Sequence, residues 1–196
     1  MEVRLLTDHL ARPARRERSA LLVVDVQERL LPVIDDHDNV LKQCVRMVRA
    51  AKLLEVPVLS TEQYPKGLGP TVEPLANLLK DTAVREKLSF SCCGPDGVAD
   101  ELSRLGRPQV VVVGIEAHVC VAQTVLDLLS AGLSAFVAAD ATSSRRALDR
   151  WVALDRMRQA GAVVTTTEAV IFEWLRTAAA PQFKDVARLV LSLIHI

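Results

Sequence analysis

Three residues with reactive side chains come at or just after short apolar segments that have the pattern of buried strands. Asp25 follows residues 21–24, Lys87 ends a third such segment, and Cys120 comes shortly after residues 110–113. The carboxyl ends of parallel strands meet at one edge of a sheet, which is where open α/β sheets bind ligands. Nucleophilic cysteine chemistry needs a base for the thiol proton and a cation to hold the thiolate, so these residues could act together. Singly, each has a plainer interpretation: Asp25 as a helix cap, Lys87 as a surface lysine and Cys120 as a buried, inert thiol.

The predicted surroundings of Cys120 favour a reactive thiol. The residue is expected in the first turn of a helix over residues 117–130, where free backbone N–H groups favour an anion. We therefore expect a lowered thiol pKa and donors for an oxyanion. Cys44, on the apolar face of an earlier helix, fits the inert alternative better.

Two polar neighbours of Cys120 could change its chemistry. A Cys–His pair with His118 is a rival mechanism, but side chains two positions apart on a helix diverge, so we expect His118 to order the loop. Glu116 would oppose ionisation of the thiol if it pointed inward. We expect Glu116 to turn away or to be paired.

The elements that must position these residues alternate along the chain. Strands are expected at 19–26, 57–60, 84–87, 109–114, 135–139 and 162–165, and helices at 39–54, 71–79, 96–105, 117–130, 145–160, 168–176 and 184–193. This alternation predicts an α/β fold with a parallel sheet that helices cover on both faces. A nucleotide-binding dehydrogenase is disfavoured, because no G-x-G-x-x-G motif follows the first strand.

Composition indicates one ordinary domain with a large core. The 196 residues are 50% apolar, and 24 basic residues balance 24 acidic ones, so the formal net charge is zero. A chain-wide basic surface for nucleic acid is therefore not expected. No apolar stretch approaches the roughly 18 residues that cross a bilayer, and residues 1–10 lack the pattern of a signal peptide. We expect no membrane partner, four free thiols, and a cytoplasmic or organelle-interior location.

We divide the chain into an N-terminal lead-in at 1–18, one domain at 19–190 and a C-terminal tail at 191–196. The basic run 12–18 is interpreted as a solvated lead-in rather than a nucleic-acid arm. The apolar tail could be packed or truncated, and both alternatives stay open.

Four segments together resemble the isochorismatase-like cysteine hydrolases, a family that includes nicotinamidases and several amidohydrolases. They read ALLVVDVQ at 20–27, KLSF at 87–90, VGIEAHVCV at 113–121 and ADATSSR at 139–145. Their order and spacing extend the resemblance over roughly 19–190. The segment STEQYPKGLG at 60–69 resembles one branch, the isochorismatase-domain proteins, whose natural substrates are poorly defined.

The resemblance implies a catalytic triad of Asp25, Lys87 and Cys120 on an isochorismatase-like, Rossmann-like fold. The implied architecture is a three-layer α/β/α sandwich with six parallel strands in the order 3-2-1-4-5-6. It places a cis peptide bond before the nucleophile, by position at Ile115–Glu116. In the mechanism that we expect, backbone N–H groups around Val119 and Cys120 hold the oxyanion. The implied reaction is hydrolysis of a small amide-like C–N substrate through a thioester. The family also implies a homo-oligomer, and apolar surfaces at 121–129 and 170–175 are expected to contribute to it.

Departures from the family pattern are equally informative. Nicotinamidases hold a divalent metal with an Asp-x-His pair after strand two, where this chain reads TEQYP at 61–65, and its four histidines form no ligand set. We therefore expect a metal-independent enzyme without a cofactor. Candidate substrate-binding residues are Gln27, Gln63, Tyr64 and Phe90, although Tyr64 and Phe90 could equally serve packing. Two alternatives stay open: a non-catalytic binding or scaffold protein, and a hydrolase of vinyl ethers.

Overall fold

The computed structural model of the protein describes residues 13–191 and contains one six-stranded sheet. The strands are β1 (Ser19–Val24), β2 (Val58–Gln63), β3 (Val84–Lys87), β4 (Gln109–Ile115), β5 (Ser134–Ser143) and β6 (Val163–Thr165). Their order is β3-β2-β1-β4-β5-β6, and every neighbouring pair is parallel. The predicted parallel sheet and its strand order are confirmed.

Eight α-helices connect and cover the strands within residues 13–191. They are α1 (His37–Leu53), α2 (Pro65–Leu68), α3 (Glu73–Ala76), α4 (Ala99–Leu105), α5 (Ala122–Ser130), α6 (Ala147–Gln159), α7 (Thr167–Leu175) and α8 (Phe183–Leu191). A 3₁₀ turn at Leu31–Val33 and a π-helical turn at Ala117–Val121 complete the regular structure. None of the helices in this described part of the chain is long and apolar enough to cross a bilayer.

The central strands are buried on both faces because their side chains alternate between two cores. Leu21 and Val23 of β1 pack in the core that contains α1, α7 and α8. Leu22 and Val24 pack in the opposite core, which contains α5 and Met157 of α6. Helices on both faces of one sheet make the three-layer α/β/α fold that the sequence predicts.

Two strands extend further than predicted. β2 continues to Gln63 instead of ending at residue 60, and β5 continues to Ser143 instead of ending at residue 139. Polar residues fill both extensions, so apolar patterning does not reveal them. In β5 the pairing with β4 also shifts register between Val112 and Gly114. The extension of β2 places Gln63 at the end of a strand rather than in a loop.

Several predicted bounds are also wrong at the ends of elements. β1 ends at Val24 rather than residue 26, because the backbone of Asp25 turns to a φ of 51°. The helix predicted at 117–130 begins instead as the π-helical turn. Residues 1–12 of the proposed lead-in and 192–196 of the proposed tail lie outside the described part of the chain.

Candidate active site

Three strand ends bring Asp25, Lys87 and Cys120 to one edge of the sheet. Asp25 follows β1, Lys87 is the last residue of β3, and Cys120 lies in the turn after β4. The ammonium of Lys87 spans the width of β2, and its Nζ lies 2.7 Å from Oδ2 of Asp25. Both side chains are fully buried. A buried ion pair at a sheet edge is costly unless further hydrogen bonds support it.

Lys87 is held by four acceptors. Its Nζ donates to Asp25, to Oε1 of Gln63 at 2.8 Å, and to the carbonyl oxygens of Ser89 at 3.2 Å and Phe90 at 3.0 Å. Burial acts to lower the pKa of Lys87, but the negative charge of Asp25, joined by Cys92 and Cys120 only when they ionise at alkaline pH, outweighs it and raises that pKa. Lys87 is therefore an ammonium throughout the physiological range.

The second oxygen of Asp25 is held by a residue that the sequence reasoning missed. Thr61, fully buried in β2, donates its hydroxyl to Oδ1 of Asp25 at 2.7 Å. The Thr61 hydroxyl has one proton, and a carboxylate can only accept, so the thiol of Cys92, 3.5 Å away, must donate to the Thr61 oxygen. Thr61 thus fixes the carboxylate from the side opposite Lys87.

The Cys120 thiol is protonated in the resting site, contrary to the sequence expectation. The residue is 4% exposed. Burial first, and then the negative charge of Asp25, raise the pKa of Cys120, while Lys87 only partly opposes them. The expected lowering assumed an open helix start, and desolvation outweighs it here. The site therefore holds a neutral thiol beside a carboxylate and an ammonium.

The loop before Cys120 has the expected cis peptide bond, at Ile115–Glu116. The N–H of Val119, one of the expected oxyanion donors, donates instead to the carbonyl oxygen of Glu116 at 3.1 Å. The N–H of Val121 donates to the same oxygen at 3.2 Å and closes the π-helical turn.

Both polar neighbours of Cys120 point to the segment after β5. The Glu116 carboxylate accepts from the backbone N–H of Arg145 at 2.9 Å and from its Nε at 3.1 Å. Nδ1 of His118 is hydrogen-bonded to Oγ of Ser144 at 2.9 Å. The prediction that Glu116 is paired is confirmed. His118 orders the loop, which disfavours the Cys–His mechanism.

Two of the four candidate substrate-binding residues, Gln27 and Gln63, form hydrogen bonds with the protein around Lys87. The amide of Gln27 is fully buried and bonded to the backbone of Gln63 and Gly69. Gln63 accepts from Lys87 and donates through Nε2 to the carbonyl oxygen of Leu88. The Gln27 amide uses both of its N–H groups within the protein, whereas the Gln63 amide has one N–H and one acceptor position beyond these bonds. Gln27 and Gln63 remain predicted substrate-binding residues.

The other two candidates lie at the surface. Tyr64 is 51% exposed and Phe90 is 53% exposed. A cleft of about 390 Å³ is lined by Tyr64, Lys87 and Leu88, among others, but not by Asp25, Phe90 or Cys120. Tyr64 and Phe90 remain predicted substrate contacts.

Of the other three cysteines, Cys44 lies on α1 and Cys92 lies near Asp25 and Lys87. Cys44 is fully buried on α1, as the inert alternative predicts. Burial, followed by the charge of Asp25, raises the pKa of Cys92 to about 11. All four cysteines are free. Within residues 13–191, no three His, Cys, Asp or Glu side chains are grouped closely enough to hold a metal ion.

Comparison with known sequences identifies a family. The sequence model of the Isochorismatase domain family matches residues 19–169. This chain belongs to the isochorismatase family. Isochorismatase domain-containing protein 2 from Danio rerio is 43% identical over 173 residues, which cover 87% of this chain and 86% of that protein.

Solved structures place the chain in the same isochorismatase-family fold. The MAR1 ribonuclease from Caenorhabditis elegans superposes with a TM-score of 0.87 at 42% identity and covers 92% of this chain and 93% of that one. The YcaC gene product from Escherichia coli, described as an octameric hydrolase of unknown specificity, has a TM-score of 0.83 at 24% identity, over 93% of this chain and 96% of that one. Family membership supports hydrolase chemistry in general.

Proposed function

We propose that this protein is a metal-independent cysteine hydrolase that cleaves a small amide-like C–N substrate, with Cys120 as nucleophile. The observation that carries the proposal is the buried Lys87–Asp25 pair, with Nζ and Oδ2 2.7 Å apart, beside the Cys120 thiol. These groups supply the acid, base and cation that thiol catalysis requires.

The raised pKa of Cys120 indicates that the thiol is activated only during the reaction. Asp25 accepts the Sγ proton as the sulfur attacks the substrate carbonyl carbon. Protonation removes the carboxylate charge that opposed ionisation, while the ammonium of Lys87 stays in place to balance the thiolate. The negative charge therefore moves from Asp25 to the sulfur without leaving the reach of Lys87.

The remaining steps return every group to its starting state. The tetrahedral intermediate collapses, the C–N bond breaks, and the leaving amine takes the proton from Asp25. A thioester then links the acyl group to Cys120. Asp25 removes a proton from water, which attacks the thioester, and the departing sulfur regains a proton as the carboxylic acid leaves.

The burial of the thiol favours a small-molecule substrate. At 4% exposure, Cys120 can be reached only by a narrow group, whereas an RNA strand needs an open, basic groove. The formal net charge of zero also argues against nucleic acid. We infer a small-molecule partner even though three similar structures are called ribonucleases or putative ribonucleases.

The proposal also covers the domain bounds, the cellular location and the oligomeric state. We assign the catalytic unit to residues 19–190 and its location to the cytoplasm or an organelle interior, where four free thiols persist. We infer a homo-oligomer, for which the octameric assembly of the Escherichia coli relative is a precedent within the fold.

Turnover of small amides by the Cys120→Ala variant tests the proposal. We expect a loss of about a thousandfold or more, because the nucleophile is removed. The control Cys44→Ala removes a buried thiol on α1 and should keep wild-type turnover. EDTA should leave the wild-type rate unchanged.

Other outcomes would favour the alternatives. Wild-type rates in Cys120→Ala, with turnover of a vinyl ether in the same panel, would indicate the vinyl-ether hydrolase. A wild-type protein that turns over no member of the panel and forms no acyl adduct on Cys120 would indicate a binding or scaffold protein.

A further inference from the structure

Helix α6 presents three large apolar side chains to solvent. Leu148 is 72% exposed, Trp151 is 70% exposed and Val152 is 59% exposed. Positions i, i+3 and i+4 lie on one side of a helix, so these residues form a continuous strip, which we call the α6 face. The opposite side of α6 is also apolar, because Ala153 and Met157 are buried in the core.

The segments 121–129 and 170–175, expected to contribute apolar surface to an oligomer, are mostly buried within the single chain. Val125, Leu128, Ile171 and Trp174 are fully buried, whereas Phe172 is 40% exposed. A helix that is apolar on both sides normally has both sides covered. A contiguous exposed apolar patch on a globular protein commonly marks an interaction site.

We propose that the α6 face pairs with the α6 face of a second copy of this chain about a two-fold axis. Exposed residues of opposite charge bound the strip, Arg146 before its first residue and Asp155 after its last. Asp155 lies within α6, about 12 Å along the helix from its first residue, and Arg146 is the extended N-cap residue just before the helix. An antiparallel pair whose two-fold axis passes at the level of residues 150–151 places Arg146 of each copy close to Asp155 of its mate, and Leu148 close to Val152.

The charges at the ends are available for this exchange. Asp155 is held only by exposed contacts within its own helix, to Nε2 of Gln159 at 2.6 Å and to Arg158 at 3.7 Å. Exposed ion pairs of this kind contribute little, so replacing them across an interface is inexpensive. A self-complementary patch is what a two-fold interface requires.

The pairing would act close to the site without depending on its chemistry. Helix α6 packs against the π-helical turn that carries Cys120. A second copy bound to the α6 face would therefore be separated from that turn by one helix. The inference rests on the exposed strip and its flanking charges and stands independently of the proposed hydrolase activity.

Sedimentation velocity over a concentration series tests the pairing. We expect Trp151→Asp to halve the mass of the assembly, with an unchanged circular dichroism spectrum because the side chain is exposed. The matched control Val33→Asp adds the same charge at another exposed apolar site and should keep the wild-type mass. Arg146→Glu and Asp155→Arg should each weaken association, and the double variant should restore it.

Tryptophan fluorescence gives an independent readout. The chain has two tryptophans, and Trp174 is fully buried, so iodide quenching reports chiefly on Trp151. Quenching should fall as association proceeds. The inference is overturned if the wild-type protein stays monomeric, if Trp151→Asp keeps the wild-type mass, or if the charge-swapped pair fails to restore what its single changes lose.

Discussion

The two carboxylate oxygens of Asp25 have different hydrogen-bond partners. Oδ2 faces the ammonium of Lys87, and Oδ1 accepts the Thr61 hydroxyl at 2.7 Å. In the proposed mechanism the carboxylate must take a proton from Cys120 while keeping its orientation. Thr61 contributes to this orientation, because its fully buried hydroxyl donates to Oδ1 of the carboxylate.

Thr61→Val removes the hydroxyl but keeps the shape of the side chain. A hydrogen bond to a charged group contributes about 1.5–3 kcal/mol, so we expect kcat to fall by roughly 10- to 100-fold. KM should change little, and Thr61→Ser should restore most of kcat because it returns the hydroxyl. Steady-state kinetics on the best small amide measures both constants. A serine variant as slow as the valine variant would contradict this positioning role.

Residue types at strand ends were predictable, whereas their partners were not. Asp25, Lys87 and Cys120 stand out because each comes at or just after a segment with a recognisable strand pattern. Thr61 directly follows the second predicted strand, but its hydroxyl gave no sign of a role in the chemistry, and Cys92 lies in a segment without a strand pattern. Both reach the site through the register of β2 with β1 and the path of the loop after β3. The direction of the Cys120 pKa was wrongly predicted, because a helix-start rule carries no information about burial.

At the scale of elements, the close approach of β4 to β1 sets the position of the turn that carries Cys120. Gly114, near the end of β4, has a φ of 113°. A Cβ atom there would lie 2.1 Å from the carbonyl oxygen of Val24, so only glycine allows the strands to pair at this point. The Ile115–Glu116 cis peptide and the turn that carries Cys120 come next along the chain.

Gly114→Ala should therefore destabilise the protein by several kcal/mol, because backbone must move to accommodate the methyl group. Gly106→Ala is the matched control, since Gly106 also has a positive φ of 60° but no neighbour within 4 Å of the added atom. We expect the control to cost about 1 kcal/mol. Urea denaturation of both variants gives the free energies of unfolding, and equal losses would contradict the close approach.

Elements with uniform apolar patterns were predicted well, and mixed ones poorly. Strands β1 and β4 are predicted to within two residues of their ends because their side chains are buried on both faces. The second half of β5, with Asp140, Thr142 and Ser143, has no such pattern, and pairing with β4 alone makes it a strand. The π-helical turn at Ala117–Val121 likewise has no distinguishing pattern in the sequence.

At the scale of the whole molecule, buried thiols make stability depend on alkaline pH. Burial raises the pKa of Cys92 and Cys93 to about 11, and it also raises those of Cys44 and Cys120. The ordinary thiol pKa of 9.0 applies in the unfolded chain. The folded state thus keeps protons that the unfolded state loses, so this stability is complete below pH 9 and declines as pH rises through the folded pKa values.

The free energy of unfolding should fall between about pH 9 and pH 11 by about 1 kcal/mol per pH unit for each buried thiol. Lys87 acts in the same direction, because its pKa is raised as well. Urea denaturation across this range measures the slope. Cys44→Ala should show a shallower slope than the wild type, and a slope independent of pH in both proteins would contradict the burial of the thiols.

The most direct test of the account is the rate at which iodoacetamide alkylates Cys120 in Asp25→Asn and Lys87→Met, located by peptide mass spectrometry. Removing the carboxylate charge should lower the thiol pKa and speed alkylation, whereas removing the ammonium should raise the pKa and slow it. Both variants should lose hydrolysis, and Cys44 should stay unlabelled in each folded protein. Rates that match the wild type, or that change in the same direction in both variants, would contradict the claim that these three groups form one electrostatic unit.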